Sequence, residues 1–240
     1  MTNVLLMHPT YLFWKGILNN HYSNQQISIL DYGCGNGILL DLLGTSMVKK
    51  YQGFDTSVDA VAVGLEKYKG NPRIKLQTIN PNSHPNFGDA NTHDLVMLIG
   101  VFQYLEKSEI AHVINEAKRT LKKGGYLMFS TVLDNKFYKY INLYRFVFPN
   151  HYINRIKMEK SLKNAGFKLS INKARGLILG PLISHGLVIP FDAVDHYILG
   201  VKGKIGILGR LVRLIFFPLM YLELLLPIDL GYTWYVVAKK

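Results

Sequence analysis

Three glycines stand at alternate positions in Ile29-Leu30-Asp31-Tyr32-Gly33-Cys34-Gly35-Asn36-Gly37, between an apolar run and a Leu-rich segment. Glycine adopts turn dihedrals that other residues resist, and without a Cβ it lets a ligand lie against backbone N–H groups near a helix N-terminus. An unliganded strand-to-helix turn would need at most one glycine, so the spacing reads as a binding loop. The dinucleotide fingerprint G-x-G-x-x-G/A does not fit, because Ile38 stands where its third small residue should be. No G-x-x-x-x-G-K-S/T sequence is present, which excludes a nucleoside-triphosphate loop.

Asp55 lies 22 residues beyond Gly33 at the end of Tyr51-Gln52-Gly53-Phe54-Asp55, followed by Thr56 and a helix opening near Ser57. A carboxylate there can accept from two adjacent hydroxyls, or it can cap the helix. Asn80, in Asn80-Pro81-Asn82, offers a carbonyl acceptor and is equally good turn chemistry. Gly100 and Val101 close the apolar run Asp94 to Ile99. Phe102, Gln103 and Tyr104 follow them, as substrate contacts or as packing residues.

The string Asp31-Tyr32-Gly33-Cys34-Gly35-Asn36-Gly37 resembles the first motif of the class I S-adenosylmethionine-dependent methyltransferases, and the likeness extends over about residues 27 to 175. The resemblance implies that the loop from Gly33 through Cys34, Gly35 and Asn36 to Gly37 cradles the methionyl part of the cofactor. Asp31 then helps hold its ammonium group. It implies that Asp55, with Thr56, meets the ribose hydroxyls, and that the backbone at Gly100 and Val101 passes under the cofactor. The family's usual third acidic residue, which bonds the adenine amine, is missing here, and Asn80 is the best substitute.

The elements that must position these residues alternate. Strands are expected at Ile27 to Asp31, Lys50 to Asp55, Arg73 to Ile79, Asp94 to Ile99 and Gly125 to Val132. Ile110, Val113, Ile114, Ala117 and Leu121 fall at helical spacing between the last two. A helix over Arg155 to Ala165 and strands at Phe167 to Ala174 and Tyr232 to Ala238 complete the pattern. The expected fold is α/β: a Rossmann-like, seven-stranded, mostly parallel sheet with helices on both faces. The expected organisation is one methyltransferase domain. Residues 1–26 form a helical cap, 27–175 the cofactor-binding core, 176–230 an apolar helical insert or lid, and 231–240 the last strand.

Composition narrows the setting. The chain has 240 residues, 49% of them hydrophobic and 18% charged, which suits a folded core. A single cysteine, Cys34, allows no internal disulfide and no structural zinc site, so a metal-free cytoplasmic chain is expected. The first residues lack the form of a secretory signal. Residues 1–120 carry ten basic and ten acidic residues, and residues 121–240 carry 18 against 6, so the whole excess of +12 falls in the second half. That asymmetry suits an acidic partner, anionic lipid or nucleic acid, or simply a solubilising surface.

The acceptor is read from absences. The segment after Ile99 lacks the N/D-P-P-Y/F signature of amide or base nitrogen methylation, and it lacks the Pro-Cys pair of cytosine carbon methylation. No compact basic-aromatic motif marks a nucleic-acid surface. The run from Ile205 to Pro227 is unusually apolar, yet its longest uncharged stretch, Leu214 to Leu222, is far shorter than the roughly 20 residues of a membrane span. Arg210 and Arg213 on one face make it an interfacial helix with Phe216 and Phe217 entering lipid, or else an internal substrate lid.

A small, lipophilic acceptor methylated on oxygen is therefore favoured, with an anionic membrane surface as a second partner on the inner membrane face. His151, His185 and His196 are the ordinary candidates for a base, and Tyr104 for an acceptor contact. An RNA-directed enzyme would show salt-dependent RNA retention, and a non-catalytic cofactor-binding regulator would show no turnover; these are the rival readings.

Overall fold

The computed structural model describes residues 8–80, 86–134, 151–176, 179–183, 187–188, 191, 194 and 206–240. His185 and His196, and most of the insert before Gly206, lie outside them.

Helix α1 (Pro9–Tyr22) begins with Pro at its first position, and the His8 ring accepts from the Thr10 N–H. The alternation that follows is β1 (Ile27–Tyr32), α2 (Ile38–Leu43), β2 (Val48–Asp55), α3 (Val58–Lys67), β3 (Ile74–Thr78), β4 (His93–Ile99), α4 (Lys107–Thr120) and β5 (Leu121–Val132). Then come α5 (Arg155–Asn164), β6 (Lys168–Arg175), the short α6 (Leu179–Ile183), α7 (Ile207–Leu225) and β7 (Thr233–Lys239). The strands form one sheet in the order β3-β2-β1-β4-β5-β7-β6, parallel except for β7, which runs against both neighbours. This is the Rossmann-like fold that the alternation predicts.

The sheet is covered on both faces. On one, Val113, Ile114 and Ala117 of α4 and Met158 and Leu162 of α5 pack on Leu98, Phe129 and Trp234. On the other, Trp14 and Leu18 of α1, Leu39 and Leu40 of α2 and Val61 of α3 pack on Ile29, Met97 and Tyr235. Burial on both sides is why Leu95 to Leu98 shows no alternation in the sequence. The strand order reverses between β1 and β4, and in open α/β sheets the crevice beyond the carboxyl ends at such a point is where ligands bind.

The insert leaves and returns at that same edge. Arg175, the last residue of β6, is the register partner of Thr233, the first of β7, and Thr233 also pairs with Val132 at the end of β5. Helix α7 rests on α1 and α6 through Val212, Phe217 and Met220. The expectation that Phe217 enters lipid is corrected: it is 4% exposed, and its ring meets that of His8 at 5.6 Å and the Arg213 guanidinium at 5.8 Å. Among the described residues no helix is long and apolar enough to cross a membrane.

Candidate active site

The glycine loop joins β1 to α2 in the left-handed region, with φ of 84° at Gly33, 54° at Gly35 and 79° at Gly37. The three glycines answer different demands. A Cβ on Gly33 would stand 2.3 Å from Val101 Cγ2, and one on Gly37 would stand 2.8 Å from the Tyr68 ring. A Cβ on Gly35 would meet nothing within 4 Å. Gly33 and Gly37 are therefore required by packing, while Gly35 faces open space that a ligand can fill.

The loop's N–H groups are largely engaged, contrary to the expectation that they lie bare. Those of Gly33 and Cys34 donate to the Phe54 carbonyl at 2.7 and 3.0 Å, and that of Gly37 donates to the Cys34 carbonyl at 2.9 Å. Gly35 N donates to Asp55 Oδ2 at 2.6 Å. The loop thus offers close approach of its backbone more than free donors. The Cys34 side chain is buried in the core against the position a Cβ on Gly53 would take, so it points away from any ligand. Asn36 is exposed at the loop's tip.

Asp31 lies beneath the loop, 3% exposed, and Tyr51 Oη donates to its Oδ2 at 2.5 Å. Burial pushes its pKa up to about 7; the Tyr51 hydrogen bond opposes that shift and the nearby Asp55 adds to it. Tyr51 was not evident as a site residue from the sequence, since nothing local marks a tyrosine twenty residues away as the partner of Asp31. Tyr11 of α1 lies near the same carboxylates: burial, then Asp31 and Asp55, holds its hydroxyl well above the usual tyrosine range.

A cavity of about 520 Å³ opens beside the loop. It brings together Gly33, Asp55, Thr56, Gly100, Val101 and Tyr104 from the sequence-predicted set. It also adds residues the motifs did not indicate, among them Tyr32, Phe54, Ile79 and Glu109. Asp55 Oδ1 accepts from Ser57 N at 2.8 Å, but the cap of the helix is Ser57 itself, whose side chain accepts from Ala60 N, so Asp55 steadies the cap residue rather than capping the helix. Ile79 forms the wall where β3 ends, and Asn80, one residue on, is exposed and does not line the cavity. Gly100 takes a φ of 68° and donates to the Ser130 carbonyl at 2.9 Å, which turns the chain into the short 3-10 segment Phe102–Tyr104.

Of that segment only Tyr104 reaches the cavity. Phe102 is fully buried against Phe129, and Gln103 accepts from Thr131 Oγ1 at 3.0 Å, so both are packing residues. Burial raises the Tyr104 pKa, which keeps its hydroxyl protonated at neutral pH. His151 is not in this cavity. Its N–H donates to the Gln103 carbonyl at 2.7 Å and its ring stands 3.3 Å from Glu106, lining a neighbouring cavity of about 550 Å³. Among the described residues, only Leu105 is common to the two walls.

Among the described residues, the cavity's lining includes the carboxylates of Asp55 and Glu109 and no Lys, Arg or His. Such a wall repels phosphates and favours a ligand that carries positive charge and hydroxyls. With Asp31 below, apolar walls at Ile79 and Val101, and open space in front of Gly35, the residues fit a sulfonium-bearing nucleoside. Bound there, S-adenosylmethionine supplies an already activated methyl group. Among the described residues no group of three or more His, Cys, Asp or Glu is placed to hold a metal ion.

This is the fold and crevice of the class I methyltransferases. A family profile described as methyltransferase domain matches residues 12–170, and the chain belongs to that family of S-adenosylmethionine-dependent enzymes. None of the curated proteins matches the chain. Among solved structures, the cyclase SpnF superposes with a TM-score of 0.60 at 16% identity, covering 95% of this chain and 80% of its own. An S-adenosylmethionine-dependent methyltransferase from Mesorhizobium loti gives 0.57 at 15% identity, covering 90% and 92%. Geranyl diphosphate C-methyltransferase from Streptomyces coelicolor A3(2) gives 0.59 at 14% identity, covering 95% and 80%. At these identities the likeness is one of fold.

Proposed function

We propose that this methyltransferase acts on a small, lipophilic acceptor, with oxygen as the favoured nucleophile. The observation that carries the reading is the insert. It leaves and returns at the sheet edge where the cofactor cavity opens, and its described part is an apolar cluster of Ile183, Val188, Val212, Phe217 and Met220 beside α1. These side chains pack on one another, and the cavity takes its own apolar wall from Ile79, Ile99, Val101 and Leu105; a wall of that kind selects apolar molecules and limits water at the transfer. One solved structure of the same fold is, by its name, a geranyl diphosphate C-methyltransferase, so this fold accommodates small-molecule acceptors.

In this reading the carboxylate of Asp31 holds the cofactor's ammonium group and Asp55, with Thr56, its ribose. Gly33, Gly35, Gly100 and Val101 give close backbone approach, Gly37 shapes the turn against Tyr68, and Ile79 rather than the exposed Asn80 forms the wall where β3 ends. Transfer from a sulfonium is an in-line displacement, so orientation can supply much of the rate. Tyr104, protonated and in the cavity, is suited to hydrogen-bond the acceptor oxygen. His151 stands in the adjoining cavity and could take a proton only after movement or through water. Incubation with methyl-labelled cofactor and fractionated cell extract tests the reading. Label in the organic phase is expected, and label confined to RNA or to protein would refute it.

A further inference from the structure

Helix α7 has an apolar face that, among the described residues, nothing covers. Of its nine exposed positions, eight are apolar and the ninth is Arg210. Ile207 is 73% exposed, Ile215 60% and Leu222 60%, with Leu211, Leu214 and Leu219 between them. The face continues past the helix end through Leu226, Ile228 and Leu230, each at least 40% exposed. The opposite face is engaged: Val212, Phe217 and Met220 are buried against α6 and α1, and Leu224 reaches the main core. A helix that is apolar on both sides and packed on one needs a second covering.

Charge selects the covering. The exposed face of α7 carries no acidic residue, and the half of the chain to which it belongs holds the entire +12 excess. Arg210, the one charged residue among the exposed positions of α7, is complemented by an anionic lipid headgroup layer and would be repeated, not complemented, by a second copy of the same face. At 19 residues, with Arg210, Arg213 and Glu223 along it, the helix is of a kind that lies in an interface.

We infer that the outward face of α7, from Ile207 to Leu222, seats the protein on the surface of an anionic membrane. Arg210 stands at headgroup level, and Leu211, Ile215 and Leu222 enter the acyl boundary. Because the insert is rooted at the sheet edge where the cofactor cavity opens, docking brings that edge to the membrane, where a lipophilic acceptor is dissolved. That last consequence rests on the proposed acceptor class; the docking itself does not.

Flotation of the full chain with vesicles of phosphatidylcholine, with or without phosphatidylglycerol, tests the docking without cofactor or acceptor. Binding that needs phosphatidylglycerol and weakens with salt is expected. The triple variant Leu211→Ser, Ile215→Ser, Leu222→Ser changes only exposed positions, and should float on the order of a hundredfold less well while keeping the wild-type melting temperature. A wild-type chain that ignores both vesicle types, or a folded triple variant that binds as wild type does, would overturn the inference. So would sedimentation showing a dimer that the triple variant dissolves, which would make a second copy the occupant. Failure here leaves organic-phase labelling to be decided by its own assay, so the two readings fail separately.

Discussion

Asp55 and Gly35 are joined by a hydrogen bond of 2.6 Å from the backbone N–H of Gly35 to the carboxylate. The other oxygen of Asp55 takes the Ser57 N–H at 2.8 Å, so one side chain at the end of β2 both braces the glycine loop and holds Ser57, the residue that caps α3. Each oxygen keeps a lone pair for a hydroxyl of the ligand. In the proposed reading, loop geometry and ligand recognition are coupled through this single carboxylate.

Replacing Asp55 with Ala should therefore weaken cofactor binding by about 2 kcal/mol, roughly thirtyfold. It should also lower the melting temperature of the free protein, because the Gly35 and Ser57 donors lose their acceptor. Calorimetry and thermal melting separate the two effects. A lowered melting temperature with wild-type affinity would leave Asp55 as a brace alone.

Asp31 makes binding depend on pH. Its folded pKa of about 7 lies above the ordinary 3.8. Sharing a proton therefore stabilises the folded chain below the ordinary value, and that contribution is lost as pH rises through 7. The cofactor's ammonium group favours the charged carboxylate. Affinity should rise as pH is raised from about 6 to about 8, with proton release near neutrality that calorimetry in buffers of different ionisation enthalpy detects. Asp31→Asn should flatten the profile and Tyr51→Phe should shift it to higher pH. An affinity independent of pH in the wild type would contradict this account of Asp31.

The two cavities separate Tyr104 from His151. Tyr104→Phe should lower kcat by about tenfold through loss of a hydrogen bond to the acceptor, with little change in cofactor affinity. His151→Ala should leave cofactor affinity unchanged and kcat within about threefold, since a direct general base would be worth roughly a hundredfold or more. A loss of that size at His151 would show that the neighbouring cavity opens onto the reacting atoms.

The sheet was legible because its strands are apolar runs between strong turn signals; Asp94 to Ile99 needed no tertiary information to be read as a doubly buried strand. The glycine turn between β1 and α2 was legible because glycines at alternate positions are rare without a steric reason. Less could be read where the decisive partner is distant in the chain. The Tyr51 bond to Asp31 and the contact of Gly33 with Val101 arise only when β1 lies between β2 and β4. The orientation of α7 was illegible for another reason. A helix apolar all round gives no periodicity to say which side packs, so Phe217 could not be told from Ile215.

The measurement that bears most directly on the site is cofactor binding by Gly35 variants. Gly35 is the loop glycine whose Cβ would meet nothing in the free protein, so Gly35→Ala and Gly35→Val should fold with only the cost of a left-handed φ, about 1–2 kcal/mol. The added carbons would occupy the space assigned to the ligand. Calorimetry should show S-adenosylmethionine binding weakened in Gly35→Ala and abolished in Gly35→Val, with both variants still folded by circular dichroism. Unchanged affinity in a folded Gly35→Val variant would contradict the placement of the cofactor against this loop.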